Sequence, residues 1–343
     1  MSDSALFAPS HRSFVDKRLV WLAASLLALA FLSTAALRLG ARVTDWTVIW
    51  AALSAYDPIN ADHIVIQTMR LPRLLGSLLA GAALGISGAL IQAMTRNPLA
   101  DPGLLGINGG AALGVVLSII VFEITDTAGF IWVALGGGLI ASVLVFLLGG
   151  GSQANPLRLI LAGAAVSALF LALTRALLLV SRQALDVYRF WVLGGFDGIL
   201  TPTIYALIPF LTLGSLLAIA AAFGLNALML GEDSAKGLGI RTGLTRLTAG
   251  AAIVLLCGAT VAMAGPIAFA GLIVPHFARW VSGPTIGWTL AFSAVFGAML
   301  LTSADLLGRL PLFGGNMQAG VMTALIGGPV LIWLVRRNGV RKL

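Results

Sequence analysis

The sequence predicts an all-α, polytopic membrane protein with about ten transmembrane helices, and three observations predict it. Hydrophobic residues make up 59% of the 343-residue chain and charged residues only 10%, with a mean hydropathy of +1.01. That leaves too little polar surface to coat a water-soluble domain. Apolar runs recur along the whole length, each of about 20 residues, the length that crosses roughly 30 Å of hydrocarbon. The ~10-residue alternation of a membrane β-barrel is missing, so helices are the spanning element.

Taken in order, the first apolar run, 19–37, follows "HRSFVDKRLV". It is longer than the apolar core of a signal peptide and further spans follow, so it reads as a retained first helix. Segment 40–69 is polar enough to lie outside the bilayer, with Trp46 and Trp50 as interface anchors. "RLPR" then introduces the second span, 74–94, and Pro72 suits a first helical turn. Here Arg70 and Arg73 are expected to point into the external water, where they either anchor lipid phosphates or receive carboxylates through the planar guanidinium fork.

"RNPLADPGLLGINGG" follows, and Pro98, Pro102, Gly103 and Gly106 forbid a straight helix through it. Asn97 and Asp101 are placed to cap what comes next. Spans three to five fall at 106–123, 129–149 and 157–180. "SRQALDVYRFWVLGGFDGIL" joins spans five and six on the outside, with Tyr188, Phe190 and Trp191 beside Gly194 and Gly195. It reads either as an interfacial aromatic loop or as a short re-entrant helix at an outer mouth. Spans six and seven lie at 203–230 and 246–264. The eighth, 267–281, is short and carries Pro266 and Pro275, so it is a broken or re-entrant helix. Spans nine and ten lie at 288–307 and 317–335.

The 21 basic and 13 acidic side chains give a formal charge of +8. The basic residues sit at the ends of apolar runs, which marks topology and argues against a nucleic-acid partner. With the N-terminus inside, 13 Lys and Arg fall inside and 8 outside. An even number of spans then puts both termini in the cytoplasm. "GAALG" occurs twice, as Gly81 with Gly85 and as Gly110 with Gly114. Each pair lets a neighbouring backbone approach, and internal packing is favoured over subunit dimerisation.

No catalytic constellation emerges. His11, His63 and His276 show no ligand spacing, and His276 is expected to be a hydrogen-bonded structural residue. Cys257 is the lone cysteine, so an internal disulfide or a multi-cysteine metal site is excluded. No metal site is expected. Asp305, near the outer end of span nine, stands four residues before Arg309. A structural ion pair is the preferred reading over a proton relay. The chain has no G-x-x-x-x-G-K-[ST] loop, so it does not bind ATP in that manner.

One cytoplasmic stretch is left to explain, "LGEDSAKGLGIRT" at 230–242. Glu232 and Asp233 favour a helix N-terminus, and Lys236 is placed i,i+4 from Glu232. Gly237 and Gly239 are expected to end the helix and turn the chain back. A short, capped, mixed-charge helix on the cytoplasmic face either lies on the membrane or is gripped by a soluble partner. With no nucleotide motif of its own, a transporter driven by ATP would need such a handle.

"RLPRLLGSLLAGAALGISGALIQAMTRNPLADPGLLGINGGA", "LGEDSAKGLGI", "GPIAFAGLIVPHFARW" and "TALIGGPVLIWLVRR" resemble the permease subunits of the iron-siderophore, haem and vitamin B12 class of ABC importers. Within that class the residues are most similar to permeases for catecholate siderophores. The resemblance covers nearly the whole chain and implies a single permease domain over 1–343 with the type II importer fold. It implies a multi-pass protein of the bacterial inner membrane, surrounded by lipid and paired with a second permease subunit, identical or homologous. It further implies two ATPase subunits that carry the ATP and grip Glu232, Asp233, Ser234, Ala235, Lys236, Gly237, Leu238, Gly239 and Ile240. A substrate-binding protein would dock its glutamates on Arg70, Arg73 and Arg309, and a ferric siderophore would be the cargo. No cofactor is expected on this chain.

Two places depart from that family's pattern. After "RWVSG" the chain has Pro284, Thr285 and Ile286 in place of Asp-His-Arg. Before the last span it has Asn316, Met317 and Gln318 in place of an acidic-Leu-Pro run. An ion-coupled secondary transporter or channel is the alternative, and it predicts more buried acids along the spans. An intramembrane enzyme would need a nucleophile–base or metal set that the sequence lacks.

Overall fold

The computed structural model describes residues 11–40, 42–124, 127–151, 156–311 and 317–338. Asn316, Arg341 and Lys342 lie outside the described residues, as does the side chain of His11. The described residues form helices α1 (His11–Arg38), α2 (Trp46–Ser54), α3 (Ala61–Val65), α4 (Leu71–Thr95), α5 (Ile107–Phe122), α6 (Thr127–Leu148) and α7 (Pro156–Leu178). There follow α8 (Arg182–Trp191), α9 (Thr201–Met229), α10 (Glu232–Gly237), α11 (Thr242–Ala264), α12 (Ala270–Ser282), α13 (Ile286–Gly308) and α14 (Ala319–Asn338). A π-helical turn, Ile66–Arg70, makes α3 and α4 continuous.

Among the described residues, seven helices are long and apolar enough to cross a membrane, and Ile107–Phe122 and Ala319–Leu334 are shorter apolar helices. With α12 they occupy the ten spans predicted from the apolar runs. At 13 residues α12 rises only about 20 Å and does not cross a bilayer alone. Its break from α11 runs through Gly265 (φ 72°) and Phe269 (φ 67°). Backbone groups in such a break need partners inside the protein. Part of that need is met by the 194–195 segment, where the Gly195 N–H donates to Ala264 O at 2.7 Å.

The core is built around α4. In its apolar stretch 72% of residues are buried, against 11% for α1, which lies at the periphery along α13. The most extensive helix pair is α4 with α13, followed by α5 with α6 and α11 with α9. Small residues explain the closeness. A Cβ on Gly81 would overlap Gly297 O, one on Gly85 would overlap Ser293 O, and one on Gly88 would overlap Gly271 O. Gly110 and Gly114 meet α6 in the same way, at Gly137 O and Val133 O. Both GxxxG pairs therefore serve internal packing, as expected. Buried Ser87, Thr95 and Thr260 turn their hydroxyls back onto carbonyls four residues earlier, which satisfies them within their own helices.

The corner after α4 is ordered by the predicted caps. Asn97 Oδ1 accepts from Leu99 N–H at 2.9 Å, and Asp101 Oδ1 from Gly103 N–H at 2.8 Å. It is also pinned to α12 by side chains that the sequence did not connect. Gln92 Oε1 accepts from Arg279 Nη2 at 2.7 Å, its Nε2 donates to Leu272 O at 3.0 Å, and His276 Nε2 lies 2.9 Å from Pro98 O. His276 is thus the structural residue that was expected.

Candidate functional site

Helix α4, whose 25 residues rise about 37 Å, carries the chain between two sites at opposite ends of its length. Arg73 stands at one end. Met94, at the other, shares a cavity of about 270 Å³ with Leu105 and Arg246. In the orientation that the Lys and Arg bias predicts, the first end is outer and the second cytoplasmic.

At the outer end the chain brings together the three arginines singled out from sequence. Arg70, Arg73 and Arg309 line one cavity of about 440 Å³, with Arg42, Asp62 and Asp197 also on its wall. Arg70 does not face the water, however, and this corrects the expectation for it. It is buried, with Nη1 donating to Leu37 O at 2.6 Å and to Arg38 O at 3.0 Å, and Nη2 to Arg42 O at 2.6 Å. Those are carbonyls at and just beyond the C-terminus of α1, which a helix leaves unpaired and a cation satisfies. Arg70 therefore ties α1 to the start of α4.

Arg73 is also partnered. Its Nε donates to Asp305 Oδ1 at 2.7 Å and its Nη1 to Asp197 Oδ1 at 2.8 Å. The expected Asp305–Arg309 pair is present, with Arg309 Nε 3.2 Å from Asp305 Oδ2. Asp305 is 1% exposed and sits between two guanidiniums. Nearby, Ser77 and Thr302 share a buried hydrogen bond of 3.1 Å across α4 and α13. Sequence reasoning missed Arg42 and Asp197. The available signal was an acid inside the glycine-rich external "GGFDG".

The external aromatic segment forms a helix, α8, whose N-terminus is capped by Ser181 Oγ accepting from Ala184 N–H at 3.2 Å. The chain then runs through Gly194 (φ 68°) to α9. Gly194 O accepts from Gly320 N–H at 2.8 Å, so this stretch joins the break before α12 to the start of α14.

At the cytoplasmic end, α10 forms where the charge pattern predicts it. Lys236 Nζ lies 3.3 Å from Glu232 Oε1, and Gly239 (φ 77°) turns the chain back. Arg246, on α11, adds a bond that was not foreseen, donating from Nη2 to Glu232 Oε2 at 2.9 Å. Residues 232–240 present two faces. Ala235 is fully buried, and Ile240 packs on the core. Asp233, Ser234, Lys236, Gly237, Leu238 and Gly239 are exposed, and Leu238 is 66% exposed despite its apolar side chain.

The hydrogen bond from Arg246, followed by that from Lys236, holds the Glu232 carboxyl below the usual carboxylate range. A lowered folded value contributes stability above the unfolded value, and that contribution is lost as pH falls through the folded one. Arg246→Gln should therefore move the Glu232 titration upward toward the ordinary range. Carboxyl carbon shifts of labelled glutamate in detergent measure this. An unmoved titration would show that Arg246 does not set it.

Among the described residues no three His, Cys, Asp or Glu side chains converge on a point that could hold a metal. Cys257 is buried and free.

Comparison with known proteins agrees with this geometry. The sequence profile of the FecCD transport family matches residues 26–337. The chain is 42% identical over 317 residues to the ferric enterobactin transport system permease protein FepD of Escherichia coli (strain K12), covering 91% of this chain and 94% of that one. It is 38% identical over 297 residues to the probable siderophore transport system permease protein YfiZ of Bacillus subtilis (strain 168), covering 86% and 89%. A solved metal-chelate type ABC transporter in an inward-facing conformation superposes with a TM-score of 0.80 at 30% identity, over 92% of this chain and 98% of that one. A bundle of helices long and apolar enough to span the membrane, with a family match over residues 26–337, belongs to the FecCD transport family of permeases.

Proposed function

We propose that the chain is the permease subunit of an ATP-driven importer that moves a ferric siderophore into the cytoplasm by alternating access. The observation that carries this reading is the end-to-end match to a ferric enterobactin permease, over 94% of that protein. The chain pairs with a second permease subunit, identical or homologous, and both termini lie in the cytoplasm of a bacterial cell. A substrate-binding protein delivers the cargo at the outer arginine cavity, and two ATPase subunits supply the energy from the other side.

Docking falls to Arg73, with Arg42 added, since its side chain is 79% exposed and 3.6 Å from Asp62, while Arg309, buried like Arg70, holds Asp305 behind them. Arg70 supports them from beneath. The ion-coupled alternative needs unpaired acids along the spans. Among the described residues Asp305 is the one buried acid there, and two arginines neutralise it.

The test is reconstitution in liposomes with an ATPase and a siderophore-binding protein from the same organism. Loaded binding protein should stimulate ATP hydrolysis, and radioiron should accumulate inside only with the siderophore. Uptake driven by a proton or sodium gradient without ATP would sink the proposal.

Coupling to the ATPase runs through the exposed face of α10. Cysteines at Lys236 or Leu238 should crosslink to the ATPase in the assembled complex, and a cysteine at the buried Ala235 should not. A complex that hydrolyses ATP yet crosslinks at neither exposed position would remove α10 from the contact.

A further inference from the structure

Arg73 holds two carboxylates of opposite character. Its Nε edge takes Asp305, which is sealed from water and shared with Arg309. Its Nη1 takes Asp197, whose side chain is 54% exposed and makes no other ion pair among the described residues. Asp197 belongs to segment 194–200, which lies over the break between α11 and α12 and is bonded to both Ala264 and Gly320. The same carboxylate sits between two outer cavities. One is the arginine cavity, and the other, about 470 Å³, is lined by Phe190, Trp191, Met263 and Gln318. The 2.8 Å Arg73–Asp197 bond therefore ties the outer end of α4 to the segment above the broken helix.

We propose, on the docking reading above, that Asp197 is a stand-in carboxylate, which an incoming carboxylate of the binding protein displaces from Arg73. The guanidinium edge bonded to Asp305 is closed to any visitor, so the edge bonded to Asp197 is the one a partner can reach. Replacing one exposed carboxylate by another costs little, because such pairs are each worth only about 0–1 kcal/mol. The rest of the interface then decides the exchange. Once displaced, Asp197 gives up the segment's polar tie to α4, leaving the packing of Phe196 and Ile199 on Gly76, and docking is felt at the segment over the broken helix.

The probe is poly-L-glutamate, added at low ionic strength to the full chain in detergent. Asp197→Asn should raise its affinity about threefold, the worth of one exposed pair. Asp186→Asn removes one outer charge without touching Arg73, and should raise affinity less. In an Arg73→Gln background the gain from Asp197→Asn should vanish, since a double-mutant cycle isolates the pair. A readout that leaves Arg73 intact uses a nitroxide on Leu200→Cys, because the native Cys257 is buried. Poly-L-glutamate should mobilise that label, and Asp197→Asn should mobilise it without the polymer.

An equal gain from Asp186→Asn, a gain that survives without Arg73, or a label unmoved at saturating polymer would each overturn the proposal. If Arg73→Gln weakens polymer binding while Asp197→Asn changes nothing, the stand-in role alone falls. If Arg73→Gln leaves binding intact, the docking reading falls and takes the stand-in role with it.

Discussion

Gly88→Val should remove folded protein from the membrane. A side chain at this position would occupy the carbonyl of Gly271, at the start of α12, and the obstacle is backbone that no rotamer change relieves. Forcing extra carbons into a packed core ordinarily costs about 1–3 kcal/mol when side chains can adjust. Here α4 and α12 would have to separate, and the pins from Gln92 and His276 would part with them. Gly85→Val and Gly81→Val should act alike against α13. Gly250→Ala and Gly287→Ala are the controls, because a Cβ at either position meets nothing within 4 Å. Size-exclusion profiles after mild extraction measure the outcome. A monodisperse Gly88→Val protein with wild-type yield would show that the α4–α12 contact is not as close as described.

Arg73→Ala should lower stability by about 3 kcal/mol, the low end for removing one partner of a buried ion pair. The low end applies because Arg309 still faces Asp305. Adding Asp305→Asn should deepen the loss, since the buried Arg309 is then left without its carboxylate. Asp197→Ala touches the same guanidinium from the exposed side and should cost less than about 1 kcal/mol. Thermal unfolding in one detergent, across the four proteins, reads the contrast. Equal losses for Arg73→Ala and Asp197→Ala would mean that the burial of Asp305 does not govern this site. The sequence alone predicts a nearly silent Arg73→Ala, because it places the residue in open water.

That difference shows what was legible and what was not. The spans were legible because lipid demands long apolar helices with internal backbone bonding, and that demand is written locally. Even the broken eighth span showed itself through Pro266 and Pro275. The α10 handle was legible for the same reason, since its cap, its i,i+4 pair and its terminating glycine all lie within a few residues. The arginine cavity was half legible. "RLPR" marks a mouth, but nothing local says that Arg70 meets the last carbonyls of α1, or that Arg73 meets acids 124 and 232 positions away. Nor does a hydrophobic pattern of period 3.6 show that Ala235 turns inward while Leu238 turns out. That choice is made by the fit of α10 against α9 and α11.

The glycine contacts along α4 bear on how such a molecule can move. Helices separated by side chains slide by small rotamer changes, which is the basis of shear motion. Where α4 meets α12 and α13 backbone against backbone, there is no layer of side chains to shift, so sliding would lift the helices apart. The three helices therefore act as a keel that is carried through a transport cycle as one solid piece. Pivoting is left to the joints outside this trio. Structures captured in two states should superpose on this trio and diverge elsewhere.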